Sequence, residues 1–149
     1  MSKNELKFNW LDYIDKKQLQ SKKFKIAFTH PSNKGYNASI DTNERLELIG
    51  DKVLDLVLYH FLYKKYKNTI SKGKMDNLRQ ELMSVIGLSK IFDFINLGDF
   101  LIKPPNYNLP LSPKVKHNIV ESLIGAIFLE DGYEIAFKFI IELFEKVEF

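Results

Sequence analysis

The sequence predicts an all-α protein, and three observations support that class. No stretch alternates apolar and polar residues with the period of two that a half-exposed strand requires. Apolar residues instead recur at three- and four-residue spacing, as on one face of a helix. Only 7 glycines and 5 prolines interrupt 149 residues. With 45% hydrophobic residues, a chain of this length is expected to form one domain with its own core.

The first half of the chain supplies two helices after a lysine-rich N-terminal part. A polar loop is expected over residues 33–42. A long helix is expected over residues 43–67, with Asp41 or Thr42 as its N-cap. The amphipathic pattern then predicts one further helix over residues 71–95.

The second half supplies two more helices, separated by breaks. Residues 96–98 predict the end of the preceding helix, and three prolines exclude a helix over residues 103–112. Ser112 followed by Pro113 is a favourable start, because serine caps and proline suits the first helical position. We therefore expect a helix over residues 113–130 and a last one after Gly132.

Two of these helices, at residues 43–67 and 113–130, are apolar on nearly every side, which is typical of buried central helices. Each carries a glycine in its interior, Gly50 and Gly125. Glycine there costs about 1 kcal/mol relative to alanine. Close approach of two backbones is a reason to retain it, so we expect the helices to cross near these glycines.

The same two helices carry acids that do not suit a core. Glu44, Glu47 and Asp51 share one helix face, and Asn118 shares a face with Glu121. A crossing at the two glycines would let Glu47, Asp51, Asn118 and Glu121 converge. Three carboxylates and one amide oxygen form an all-oxygen set that suits Mg²⁺ or Mn²⁺.

The alternative is an ordinary solvated face, because acids on helices are usually exposed. Asp55 is assigned to the surface or to a salt bridge. Arg45 and Lys52 are expected to point away from the acidic face and so not to neutralise it. His117 adjoins Asn118 and either faces the site or lies elsewhere; its spacing leaves both open.

Composition narrows the class of protein. No cysteine is present, which excludes disulfides, a cysteine nucleophile, iron–sulfur clusters and thiolate zinc sites. No secretory signal or membrane span is evident, so an intracellular protein of the cytoplasm or nucleus is expected, not a secreted or membrane one. The net charge is +3 and all but two of the basic residues are lysines, so any polyanion is expected to be contacted through its backbone.

Four blocks, in order, resemble the ribonuclease III family. Residues 43–54 read NERLELIGDKVL, close to the family's signature NERLEFLGDAVL. Residues 27–32, 73–79 and 120–129 read AFTHPS, GKMDNLR and VESLIGAIFL, and resemble three further family motifs. The resemblance covers residues 26–132. It implies one nuclease domain over residues 1–149 and no double-stranded-RNA-binding domain, either as a minimal nuclease or as part of a longer protein.

The resemblance implies an all-α helical bundle that forms a symmetric homodimer and cuts double-stranded RNA with Mg²⁺, with Mn²⁺ as a substitute. The products would carry 5′-phosphate and 3′-hydroxyl ends. A phosphodiester hydrolase of this kind uses metal-bound water for in-line attack. The runner-up is a weakened or inactive member of the family that serves as an RNA-binding or assembly module.

The family's functional residues carry over by position. The catalytic acids fall on Glu47, Asp51 and Glu121, and these with Asn118 are the implied metal ligands. Asn118 stands where the family normally has aspartate, so weaker metal binding and slower turnover are expected. Glu44 would contact substrate or support the ligands. Leu48 stands where phenylalanine often enters the partner subunit, and would lie in the dimer interface.

Overall fold

A computed structural model describes residues 8–33 and 43–147. Helices dominate both ranges, and the one β-feature within them is an isolated bridge between Thr29 and Ile102, so the all-α prediction is confirmed. Short 3-10 helices cover Trp10–Tyr13, Lys16–Gln20 and Leu97–Phe100. The α-helices are α1 (Lys22–Ala27), α2 (Glu44–Tyr66), α3 (Lys72–Met83), α4 (Val85–Phe94), α5 (Pro113–Asp131) and α6 (Tyr133–Lys146).

The central crossing of α2 and α5 organises the core. A Cβ added at Gly50 would lie 1.6 Å from the backbone oxygen of Glu121, and one at Gly125 would lie 2.2 Å from that of Leu46. The two backbones therefore touch where the sequence predicted, and no other residue fits either position. Residues 119–127 of α5 are all buried, which makes this helix the axis of the domain.

The boundaries of α2 agree with the prediction to within one residue at each end. Asn43 occupies the N-cap position but makes no side-chain cap bond. Asp41 and Thr42, the predicted caps, lie outside the described residues. The start of α5 follows the prediction closely, since Ser112 Oγ accepts a hydrogen bond from the Val115 amide at 3.2 Å and Pro113 is the first helical residue.

The prediction of one helix over residues 71–95 is wrong, because the chain breaks at Ser84 between α3 and α4. Ser84 is extended (φ −63°, ψ 163°). Its hydroxyl donates to the Glu81 carbonyl at 2.8 Å and accepts from the Gly87 amide at 2.9 Å. One side chain thus satisfies the end of one helix and the start of the next, which makes the break favourable.

Part of the core consists of aromatic side chains. The Trp10 ring contacts Phe28 and Phe100, with centroids 5.8 and 5.1 Å apart. The Thr29–Ile102 bridge fastens the segment after α1 to the segment before α5, and that second segment is non-helical from 103 to 112 as predicted. No helix among the described residues is long and apolar enough to cross a bilayer.

Candidate active site

Two acids, one on each helix, lie beside the helix crossing. Glu47 stands one turn before Gly50 on α2, and Glu121 stands one turn before Gly125 on α5. Glu121 is buried and Glu47 is half-buried. Burial raises the pKa of Glu47, and the charge of Glu121 raises it further. The crossing therefore brings two acids of one predicted cluster together across two helices, at an electrostatic cost.

His117 lies in this site, which settles the question that its spacing left open. Its Nε2 is 2.9 Å from Glu121 Oε1 and its Nδ1 is 2.9 Å from Asn118 Oδ1. Burial opposes the charged imidazolium, but hydrogen bonds to Glu121 and Asn118 outweigh it and raise the pKa of His117. The histidine therefore holds both Glu121 and Asn118, and its contact with Glu121 favours the charged imidazolium. The i,i+4 spacing of His117 and Glu121 on one helix was the available signal.

Ser122 ties the start of α2 to the same turn of α5, and sequence reasoning gave it no role. Its hydroxyl lies 3.0 Å from the Asn43 carbonyl oxygen and 2.9 Å from that of Asn118. Asn43 is fully buried, and neither polar atom of its side chain has a hydrogen-bond partner among residues 8–33 and 43–147. The N-terminal turn of α2, which precedes Glu47, is thus anchored beside Glu121.

The other predicted site residues are less enclosed. Asp51 is half-buried, and its Oδ2 lies 3.2 Å from Lys52 Nζ. The expectation that Lys52 points away is therefore wrong: its long side chain reaches around the helix to the neighbouring carboxylate. Asn118 is half-buried with its amide oxygen held by His117. Glu44 is exposed one turn before Glu47.

Asp55 belongs to a different cluster, in accordance with its assignment to a salt bridge. Its Oδ1 lies 3.3 Å from Arg79 Nη1, and Arg79 Nη2 donates to Asp76 Oδ1 at 2.8 Å. The Tyr59 hydroxyl also donates to Asp76, and this bond raises the pKa of Tyr59 and lowers that of Asp76. These contacts brace α2 against α3 and leave Asp55 out of the candidate site.

The donor set suits a hard cation in chemistry, although its side chains are not gathered around one point. Carboxylate and amide oxygens are the ligands that Mg²⁺ and Mn²⁺ prefer. Burial and the charge of Glu121 raise the pKa of Glu47, and a cation bound beside it would lower that pKa. Yet within the described ranges no three histidine, aspartate or glutamate side chains are close enough together to hold a metal ion. Coordination by Glu47, Asp51, Asn118 and Glu121 stays a prediction.

Leu48 follows Glu47 directly on α2 and lines an apolar groove. It is 64% exposed, although its neighbours Leu46 and Ile49 are largely covered. The groove has a volume of about 530 Å³. Its apolar lining comprises Ile26, Leu46, Leu48, Ile49 and Leu129, and its basic lining comprises Lys22, Lys23 and Arg45.

Comparison with known proteins places these features in a family. The sequence pattern of the family described as ribonuclease-III-like matches residues 21–147. Ribonuclease 3 of Leptospira interrogans is 37% identical over 130 residues, which are 84% of this chain and 52% of that protein. Ribonuclease 3 of Campylobacter fetus is 40% identical over 125 residues, 82% of this chain and 54% of that protein. The chain spans about half the length of these curated relatives.

Solved structures agree with the sequence comparison. A structure of the nuclease domain of ribonuclease III from Campylobacter jejuni superposes with a TM-score of 0.74 at 32% identity, covering 97% of this chain and 96% of that one. Another structure of that domain, concerned with flexibility in a region involved in dimer formation, gives a TM-score of 0.75 at 33% identity and covers 88% and 96%.

Proposed function

This chain belongs to the ribonuclease-III-like family, and from that premise we propose that it is an endoribonuclease that cleaves double-stranded RNA. The single observation that carries the proposal is the glycine-lined crossing of α2 and α5, which sets Glu47 and Glu121 each one turn before the contact and lets the charge of Glu121 act on Glu47. Two acids held together against their mutual repulsion are destabilising for a fold that has no use for them. A hydrolase that handles a phosphodiester does have such a use.

The chemistry follows from the donor set. Glu47, Asp51 and Glu121 are the catalytic acids, and with Asn118 they would hold Mg²⁺, or Mn²⁺ in its place. Such a cation supplies Lewis-acid chemistry to a phosphodiester and makes a bound water more acidic. Hydrolysis that breaks the bond between phosphorus and the 3′ oxygen leaves 5′-phosphate and 3′-hydroxyl ends.

The protein's own contribution is to hold these oxygens in place. His117 fixes the Glu121 carboxylate and the Asn118 amide through its two ring nitrogens. Ser122 anchors the backbone on both sides of the site. Glu44, exposed one turn before Glu47, stands where it can contact the substrate or support the ligand acids. These contacts fix Glu121, Asn118 and the start of α2, and such fixed groups need little rearrangement during the reaction.

The active unit that we propose is a symmetric homodimer. Leu48 is exposed beside an apolar groove rimmed by basic residues. A twofold arrangement would place the Leu48 side chain of each subunit against the groove of the other, because such an interface uses the same patch twice. The region involved in dimer formation in the Campylobacter jejuni nuclease domain is a precedent in a relative.

The proposal is tested by incubating the purified protein with a long RNA duplex in Mg²⁺, in Mn²⁺ and in EDTA. We expect cleavage with either cation, none in EDTA, and 5′-phosphate ends on the products. A single strand of the same sequence is the control and should stay intact. A duplex that survives both cations, with the protein shown to be folded by circular dichroism, contradicts the proposal.

A second candidate is a family member that binds RNA without cutting it, as part of an assembly. The observation that favours it is the His117–Glu121 pair, because a side chain already occupies the carboxylate that a metal would use. The neutral side chain of Asn118 also favours this candidate, because it adds no negative charge to a metal site. Binding of the duplex without cleavage in Mg²⁺ or Mn²⁺ would select this candidate.

A further inference from the structure

Five lysines lie at the connection between α2 and α3, far from the carboxylates of the candidate active site. All five are exposed, and from residue 56 to residue 75 the chain carries no aspartate or glutamate. None of the salt bridges seen among the described residues involves them. We call this cluster the lysine turn, and its members are Lys64, Lys65, Lys67, Lys72 and Lys74.

The fold would be more stable with other residues at several of these positions. Lys72 and Lys74 lie in the first turn of α3, where the positive end of the helix dipole favours acids. Lys67 has φ 48° and ψ −119°, a conformation in which glycine is unstrained and a long side chain is not. Like charges in a short segment also repel one another. Lys64 and Lys65 lie in the last turn of α2, where the helix dipole favours basic residues, but stability alone does not account for lysine at positions 67, 72 and 74.

Aromatic rings accompany the charges. Lys65 Nζ lies 5.5 Å from the Phe61 ring centroid and 5.4 Å from that of Tyr66, so its ammonium is held over two rings. Tyr63, 67% exposed, lies within the same turn of helix. The rings thus fix the position of one ammonium group within an exposed, positively charged surface, and such a surface suits contact with a phosphate backbone.

The lysine turn is separate from the candidate active site. Lys65 follows Glu47 by eighteen residues of the same helix, which is five full turns and about 27 Å. A charge at that distance is well beyond the Debye length of about 8 Å at physiological salt, so it cannot act on the carboxylates directly. Any role in RNA cleavage must be through contact with the RNA itself.

We propose that the lysine turn is a second RNA-binding surface, which contacts the phosphate backbone outside the cleavage site. The choice of RNA as the polyanion rests on the proposed function. The ammonium groups of lysines contact phosphates as point charges and do not recognise base sequence. We therefore expect this surface to bind RNA by charge and geometry alone. Each phosphate contact releases counterions, and the affinity therefore falls with salt in proportion to the number of contacts.

The first test compares two triple variants that remove the same charge. One carries Lys64→Gln, Lys67→Gln and Lys74→Gln; the matched control carries Lys25→Gln, Lys90→Gln and Lys138→Gln, at exposed lysines elsewhere. Both are made in a Glu121→Gln background, and binding to a long RNA duplex is followed by fluorescence anisotropy over a range of salt. The lysine-turn triple should reduce the slope of log affinity against log salt by about 3. Equal slopes for the two triples would overturn the proposal.

The second test uses the strain at Lys67. Lys67→Gly removes the charge and relieves the positive φ, so it should raise the melting temperature while it weakens RNA binding and lowers the salt slope by about 1. Lys67→Arg keeps the charge and should keep the binding. A rise in melting temperature with unchanged RNA affinity in Lys67→Gly would show that Lys67 contacts no RNA and would contradict the proposal.

The outcomes also separate this inference from the proposed function. Cleavage of the duplex with no difference between the two triples leaves the nuclease assignment standing and removes the second surface. A lysine-turn effect on binding, in a protein that cuts nothing in Mg²⁺ or Mn²⁺, leaves the surface standing and removes the nuclease assignment. Binding of heparin equal to that of RNA at the same salt would show a general polyanion surface and would count against RNA as its partner.

Discussion

Replacing Gly50 by alanine probes the helix crossing that holds the site together. The added methyl carbon would lie 1.6 Å from the Glu121 backbone oxygen, and contacts shorter than 3.0 Å essentially do not occur. Because the obstacle is backbone and not a flexible side chain, α2 and α5 must move apart by about 1.4 Å. That movement directly separates Glu47 from Glu121.

The expected cost has two parts. Overpacking of a closely packed core destabilises by about 1–3 kcal/mol and occasionally more, and the shift needed here belongs at the upper end. Alanine also stabilises a helix by about 1 kcal/mol relative to glycine, which offsets part of this cost. A net loss of about 2 kcal/mol lowers the melting temperature by about 4–8 °C for a domain of this size. Misplacement by about 1 Å should also reduce the cleavage rate by about 100-fold.

Thermal unfolding followed by circular dichroism, together with initial rates on duplex RNA, measures both effects. Gly73→Ala is the matched control, since its Cβ would meet nothing nearer than Ser71 Oγ at 4.0 Å. That substitution should leave the melting temperature unchanged or raise it slightly, because Gly73 lies in an exposed helical turn. If Gly50→Ala melts and cuts like wild type, the crossing does not position the acids as described.

Three further predictions concern the interface and the site. Leu48→Asp should convert the expected dimer to a monomer in analytical ultracentrifugation, since it buries a charge in an apolar interface; wild-type protein that sediments as a monomer at micromolar concentration contradicts the dimer. In EDTA, the melting temperature should fall as pH rises from about 6.5 through the raised pKa of His117, because the folded state binds the extra proton. His117→Gln should reduce this change of melting temperature with pH. A variant whose melting temperature changes as strongly as that of wild type would show that His117 is not the titrating group. Asn118→Asp should lower the Mg²⁺ concentration for half-maximal cleavage, because it adds a charged ligand; a higher requirement would show that Asn118 is not a weakened ligand.

The helix crossing could be predicted from the sequence because two independent signals agreed. Both helices are apolar on nearly every side, and each carries a glycine that its own propensity disfavours. Gly50 and Gly125 then meet as expected. The fold-level prediction therefore needed only periodicity and the conformational cost of glycine.

The details that the sequence did not predict depend on side-chain direction. Ser84 can sit inside a helix or cap a new one, and its two hydrogen bonds to the chain on either side decide for the break. His117 can face outward or inward from α5, and its pairing with Glu121 decides for the site. Lys52 has enough rotatable bonds to reach Asp51 from a neighbouring position. Helical periodicity sets where a Cβ points, but not where a long or polar side chain ends.

The candidate active site could be predicted from the sequence only in part. Helical spacing placed Glu47 and Glu121 each one turn before a crossing glycine, and the structure brings those two acids together. It does not gather three acids around one point. Helical spacing sets the direction of each Cβ but not the position of the carboxylate at the end of the side chain. The ligand set therefore has to be tested by chemistry.

The most direct measurement of the central claim is the cleavage rate of Glu121→Gln on long RNA duplex in Mg²⁺ and in Mn²⁺. Glutamine keeps the shape and the contact with His117 but removes the charge. Glu81→Gln, at an exposed position on α3, is the matched control. We expect Glu121→Gln to bind the duplex, keep its fold and cut at least about 100-fold more slowly, while Glu81→Gln should cut like wild type. Equal rates for the two variants would contradict the claim that Glu121 belongs to the active site.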